Sequence, residues 1–317
     1  MELRPYGDTG LMVSPLCYGA MTIAQDPELR NGVAPSLLRA LEGGVRIIDT
    51  ARVYPNSETI VAATLKAWRG ERPVISTKVA PGSAATFREY RPIAEAYTPD
   101  GIRRSVEDSL AALGAETLDI AHLHQWWHLW SYEDEIFDTF DTLRREGKIR
   151  HAAISVGDHE HDAALEVVSR RRVSGLQLIL NLFESRPLAS ILPLARLRGV
   201  GVIARCALDS GGLSGTLTGD DFRARPFLKY APFDEYAARL HALSEYFVPT
   251  SAPTLADLAL RFALFAPGVS AVTIGMPSVA MVEACLEAVR SGPLPDEVMT
   301  AIRREHVWTK NFYERLL

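Results

Sequence analysis

The chain has 317 residues, 47% of them hydrophobic, and carries a net charge of −5 with no block of like charges. That length allows two average domains or one barrel of eight β/α units, which needs roughly 250 residues, and the apolar content fills a large core. The charge balance excludes nucleic-acid binding, the longest basic cluster being Arg170-Arg171-Arg172 at a solvated helix end, and no stretch approaches the ~18 uninterrupted apolar residues of a membrane span.

Taken in order, Met1 to Val13 carries a turn at Asp8-Thr9-Gly10 and reads as a small two-stranded lid. Strand and helix signals then alternate. Leu16–Ala20 reads as a strand and Ala34–Glu42 as a helix stopped by Gly43-Gly44. The apolar run Val45–Ile48 is a second strand ending on Asp49, and Ser57 is the expected N-cap of a helix reaching Trp68. The third strand, Pro73–Thr77, ends on Lys78, and a long loop leads to the helix Pro99–Leu113. The fourth, Leu118–Leu123, ends on His124 and precedes a helix over Tyr132–Arg145. Strands at Ala152–Ser155, Gly175–Leu180, Val200–Ala204 and Ser270–Ile274 complete the series, with helices over Asp158–Arg170, Leu188–Arg198, Thr254–Phe265 and Ser278–Arg290. Asp209–Gly219 is a Gly-rich loop, and Pro293–Leu317 is a further helix with an aromatic end.

Eight strands alternating with eight helices argue for an α/β fold, a closed (β/α)8 TIM barrel in a single domain over 1–317. A doubly wound open sheet usually has fewer strands, and no G-x-G-x-x-G follows the first one. The N-terminus lacks a signal-peptide core. Cys17, Cys206 and Cys285 are odd in number and far apart, so they read as small buried hydrophobes rather than a disulfide framework or zinc site. A soluble protein of a reducing cytoplasm is expected.

On a barrel, Asp49, Lys78 and His124 fall at the C-terminal ends of consecutive strands, where barrel enzymes build their sites, with Tyr54 in the loop above. A phenol is a poor proton donor at neutrality, but an adjacent ammonium favours the phenolate, so Lys78 makes Tyr54 a better general acid and base. Asp49 holds Lys78, and His124 orients a carbonyl by hydrogen bonding. This set suits delivery of a proton to an oxygen whose carbon has received a hydride. A strand-end Asp–Lys pair is often only structural, and a lone His is more often a satisfied rim residue. Four such groups on neighbouring strands are much harder to dismiss. Met21, Trp126, Trp127 and Trp130 are expected to form an apolar substrate wall. Asp158, His159, Glu160 and His161 look metal-like but fit a solvated helix N-terminus better, and no metal site is expected.

The sequence resembles the aldo-keto reductase superfamily over essentially its whole length. The matching pieces are R-x-x-G-x-T-G-L-x-V-S (Arg4 to Ser14), D-T-A-x-x-Y with S-E (Asp49 to Glu58), S-T-K (Ser76 to Lys78) and D-I-A-H-L-H (Asp119 to His124). G-K-I-R (Gly147 to Arg150), Q-L-I-L-N (Gln177 to Asn181), G-V-I-A-R (Gly201 to Arg205) and D-S-G-G-L-S-G-T-L-T (Asp209 to Thr218) complete it. The resemblance implies an oxidoreductase reducing aldehydes or ketones, small-molecule substrates, with NADPH as the expected cofactor and NADH as a possible one. It makes Asp49, Tyr54, Lys78 and His124 a catalytic tetrad, and implies that Ser155 and Gln177 bind the nicotinamide carboxamide and that Arg205 lies against the ring. Leu208, Asp209, Gly211, Gly212, Leu213, Gly215 and Gly275 would line the remaining cofactor groove, the loop lying over the pyrophosphate.

Two departures stand in the adenosine segment Ile274–Cys285. Pro277 occupies the position of the usual cation for the 2′-phosphate, and Cys285 that of an Asn near the adenine. Glu283 would repel a 2′-phosphate if it faced inward. These departures motivate an alternative: a cofactor-independent lyase, dehydratase, isomerase or cyclase using the same acid/base groups.

Overall fold

A computed structural model describes residues 1–82, 90–133, 135–158, 160–225, 228 and 232–308. Two short strands, β1 (Arg4–Pro5) and β2 (Met12–Val13), pair antiparallel. Eight parallel strands then close a barrel: β3 (Leu16–Gly19), β4 (Ile47–Asp49), β5 (Val74–Val79), β6 (Leu118–Trp126), β7 (Ile149–Val156), β8 (Gly175–Ile179), β9 (Gly201–Arg205) and β10 (Ala271–Gly275). They run in chain order around the barrel, and β10 pairs with both β9 and β3. The expected TIM barrel and N-terminal hairpin are therefore present.

The strands are apolar on both faces because both are covered. Outward side chains pack against helices such as Pro35–Glu42, Pro99–Leu113 and Val279–Arg290. Local chemistry sets the helix ends: Thr98 accepts from the Gly101 N–H, and Gly114 closes that helix at φ 61°. Inward side chains split by height. Cys17, Ile47, Ile120, Ala153, Ile203 and Ala271 join Tyr6 and Val13 of the hairpin in an apolar plug at the N-terminal end. The polar residues collect above it, toward the C-terminal mouth.

Three local expectations change. Ser57 is not the N-cap: Asn56 holds that place at φ 56°, and the Ser57 hydroxyl instead donates to the Ala20 carbonyl and meets Thr50 Oγ1 at 2.7 Å. The helix expected over Asp158–Arg170 is a 3₁₀ turn, His161–Ala164, followed by Leu165–Ser169, so Asp158 lies in the loop before it. Between β9 and the helix Leu255–Leu264 lie two helices that local pattern did not suggest, Gly219–Ala224 and Phe233–Phe247. The tail forms the expected helix, Asp296–Arg304, and Trp308 packs on Phe183 and Tyr236; 309–317 lie outside the described residues, as does His159. No helix among the described residues is long and apolar enough to cross a membrane.

Candidate active site

Strand pairing brings Asp49, Ser76, Lys78, His122 and His124 to neighbouring positions. Asp49 pairs in register with Ser76, Lys78 with His122, and His124 with Ser155 on the next strand. Lys78 is 1% exposed and Asp49 4%. Nζ of Lys78 donates to Asp49 Oδ2 at 2.7 Å and to the Thr50 carbonyl at 2.8 Å. Burial is the largest single influence and opposes the charge, but the charge and hydrogen bond of Asp49, together with its other neighbours, outweigh it and the Lys78 pKa stands above its ordinary value. The ammonium is thus retained.

Tyr54 is half-buried in the loop beyond β4. Its ring centroid lies 5.1 Å from Lys78 Nζ, and the His124 ring meets it edge-on at 6.3 Å. Asp49, Lys78 and His124 from the strands and Tyr54 from the loop therefore converge on one mouth. Desolvation and then the Lys78 charge push His124 down to about 3, so at neutral pH its imidazole is uncharged and offers one N–H and one lone pair. The loop carrying Tyr54 is braced by Glu58, a buried carboxylate that accepts from Arg52 at 2.6 Å and from Thr77 Oγ1 at 2.7 Å.

Beside this cluster Ser155 Oγ donates to Gln177 Oε1 at 3.4 Å, and both side chains are buried. Among the described residues Gln177 Nε2 has no hydrogen-bond partner. A buried amide N–H without an acceptor costs about 1–3 kcal/mol, which a bound carbonyl oxygen would recover. Arg205, at the end of β9, donates to the Val156 carbonyl at 3.0 Å and to Asp158 at 2.8 Å. Desolvation opposes its charge, and Cys206 and Asp158 more than restore it. Asp158 is therefore an ion-pair partner at the rim, not part of a solvated helix start. The sequence signal was its position just beyond Ser155, which the metal-like neighbours obscured.

Two members of the expected aromatic wall face elsewhere. Trp126 and Trp130 are each 1% exposed. The Trp126 indole donates to the Ala163 carbonyl at 3.0 Å and packs on Phe137, and Trp130 donates to the Arg91 carbonyl at 2.7 Å. The cause is a register shift: β6 advances two residues from His124 to Trp126 while β7 advances one, from Ser155 to Val156. Trp126 thereby joins the outward face of Val156. Trp127 is also buried, edge-on to Trp130 at 6.0 Å, and of this group Met21 alone is exposed, at 58%.

The loop after β9 is a distorted 3₁₀ turn, Asp209–Ser214, with left-handed residues at Ser210 and Gly211. Its anchor comes from the unexpected helix: the Tyr236 hydroxyl donates to Asp209 Oδ2 at 2.8 Å. A Cβ on Gly212 would lie 2.1 Å from that hydroxyl, so only glycine fits. In the adenosine segment Glu283 does not point at a groove unpartnered but accepts from Arg39 of the neighbouring helix. Cys285 is buried, its thiol pushed up to about 12 by desolvation.

Comparison with known proteins agrees with this fold. L-Galactose dehydrogenase of Arabidopsis thaliana is 27% identical over 301 residues, 91% of this chain and 88% of that protein. The NADH-specific methylglyoxal reductase of Escherichia coli is 29% identical over 235 residues, 69% of this chain and 71% of that one. Among solved structures, the holo form of aldo-keto reductase AKR11C1 from Bacillus halodurans superposes with a TM-score of 0.79 at 26% identity, covering 99% of each chain. The model of the aldo/keto reductase family matches residues 15–305. This chain therefore belongs to the aldo/keto reductase family, whose nicotinamide-dependent oxidoreductase chemistry it shares.

Proposed function

We propose that the protein reduces the carbonyl group of a small-molecule aldehyde or ketone at the C-terminal mouth of the barrel, with Tyr54 as proton donor. One observation carries the reading: a buried, charged Lys78 held by Asp49 and lying 5.1 Å from the Tyr54 ring. The nicotinamide cofactor supplies the hydride when bound. Tyr54 gives its hydroxyl proton to the carbonyl oxygen, and the Lys78 ammonium stabilises the phenolate left behind. Neutral His124 donates its N–H to the same oxygen and so orients the carbonyl. Ser155 and Gln177 would hold the carboxamide, for which the unpartnered Gln177 N–H is the supporting observation. Arg205, fixed by Asp158, would flank the ring, and the loop Leu208–Gly215 with Gly275 would flank the rest of the cofactor. Met21 and the exposed Val53 would form the apolar rim on the substrate side.

At the adenosine end the preference follows from charge. Ile274–Cys285 contains no Lys or Arg, and Glu283 engages Arg39. A 2′-phosphate would find no charge-assisted donor from this segment, so NADH is the favoured cofactor over NADPH. Titration followed by Trp fluorescence should give an NADH Kd about tenfold or more below that of NADPH, the worth of one charged hydrogen bond. The reverse order would reject that preference. Tyr54→Phe should cost turnover about 10²–10⁴-fold, as for loss of a general acid, while leaving NADH affinity nearly intact. Full activity in Tyr54→Phe would sink the proton-donor role.

A further inference from the structure

Beneath the proposed acid lies a second histidine that the chemistry above does not use. His122 is fully buried on β6, two residues before His124, and its Nε2 lies 3.0 Å from Ser76 Oγ. The same hydroxyl lies 2.9 Å from Asp49 Oδ1, and Asp49 Oδ2 receives Lys78 at 2.7 Å. Ser76, Asp49 and Lys78 are all buried as well. An unbroken line thus runs from His122 through Ser76 and Asp49 to Lys78, which sits under the Tyr54 ring.

The hydrogens along this line are fixed by counting. Ser76 has one hydrogen and two neighbours able to accept it. Asp49, ionised against Lys78, accepts only, and a hydrogen bond to a carboxylate is roughly twice as strong as one to a neutral nitrogen. The hydrogen goes to Asp49, so the oxygen of Ser76 must accept from Nε2–H of His122. The opposite arrangement would set an oxygen lone pair against a carboxylate oxygen inside the barrel. Among the described residues His122 Nδ1 makes no hydrogen bond that meets distance and angle criteria, although the ring also lies by the Ile154 carbonyl, the acceptor that a proton on that nitrogen would use.

We propose that His122, as the neutral Nε2–H tautomer, is a positioning residue that orients the Ser76 hydroxyl onto Asp49 and so fixes the Asp49–Lys78 pair beneath Tyr54. The functional half rests on the reading of Tyr54 and Lys78 given above; the tautomer does not. Burial holds His122 down to about 4, so the imidazole stays neutral in the working range. With Asp49 tied at both oxygens, the carboxylate cannot rotate, and the ammonium keeps one place.

The test has two parts. In the intact protein labelled with ¹⁵N-histidine, two-bond N–H correlation spectra at neutral pH should show His122, identified by its loss in His122→Gln, with Nε2 protonated and Nδ1 bare. A proton on Nδ1, directed at the Ile154 carbonyl, would overturn the proposal whatever the kinetics. With NADH and 4-nitrobenzaldehyde as probe, His122→Leu should lower kcat about tenfold with KM little changed, the worth of one hydrogen bond in the transition state. His122→Gln, which retains a donor, should restore most of that loss, but not in a Ser76→Ala background. If His122 only fills space, the apolar Leu variant should equal or exceed the Gln variant, and that ordering would also overturn the proposal. A wild-type protein that fails to reduce the probe while Tyr54→Phe changes nothing would instead fault the reductase reading, leaving the tautomer measurement to decide this one.

Discussion

His122 and His124 stand in the interior of β6, and the barrel holds both imidazoles neutral, at about 4 and about 3. In the unfolded chain each takes up a proton near pH ~6.5. Across the interval the unfolded state binds more protons, so the stability owed to these residues is complete above about pH 6.5 and is lost as the pH falls toward the folded values. For fully buried His122 the loss amounts to about 3 kcal/mol. Urea midpoints measured through that window should fall in the wild type and fall less in His122→Gln; parallel curves would contradict the buried, neutral assignment. By the same token kcat/KM should show no ionisation near pH ~6.5, because His124 is already uncharged there. An acid limb at that pH that disappears in His124→Gln would place a proton on the ring after all. Asp49→Asn would strand the buried Lys78 ammonium, at a cost of about 3–5 kcal/mol read from the shift in urea midpoint. An unchanged midpoint would mean that Lys78 draws little from Asp49.

Among the elements, the stretch after β9 is the most informative. The helix Phe233–Phe247 has no β/α counterpart, yet its Tyr236 reaches back to Asp209 and packs against Phe183 and Phe222. Because that ring is enclosed by aromatic neighbours, it cannot yield to a methyl group at Gly212, whose Cβ would also lie 2.7 Å from Tyr236 Cζ. Gly212→Ala should therefore displace the loop Asp209–Ser214, weakening NADH binding by about tenfold or more while leaving the tetrad intact. An unchanged NADH Kd in a folded Gly212→Ala protein would detach this loop from the cofactor. The β6 register shift is the other decisive element. It lets one strand present His122 and His124 inward and Trp126 outward, so the proposed site and the outer packing share a single segment.

For the molecule as a whole, the two ends of the barrel do different work. Tyr6, from the hairpin, inserts its ring against Gly201 and its hydroxyl against Gly175, where a Cβ would lie 2.6 and 2.2 Å away. The N-terminal end is thereby plugged, and the polar groups are left to the opposite mouth. Tyr6→Ala should cost about 3–5 kcal/mol through the cavity it leaves, with KM for carbonyl and cofactor unaltered. A change in KM would show that the two ends are coupled.

The polar groups near the C-terminal ends of the strands were legible from sequence because apolar runs stop at or near Asp49, Lys78 and His124 on consecutive strands, although β6 itself continues to Trp126. Composition and the alternation of elements likewise sufficed for the closed barrel. What sequence could not supply was any feature defined by two distant segments. The direction of Trp126 depends on how β6 registers against β7. The role of Asp158 depends on Arg205, forty-seven positions away. His122 acquires its neighbours only on folding, which sets Ser76 between it and Asp49. Local pattern reports which face of a strand or helix is apolar; a hydrogen bond, an ion pair or a clash at a missing Cβ belongs to a pair of segments and exists only once tertiary packing has brought them together.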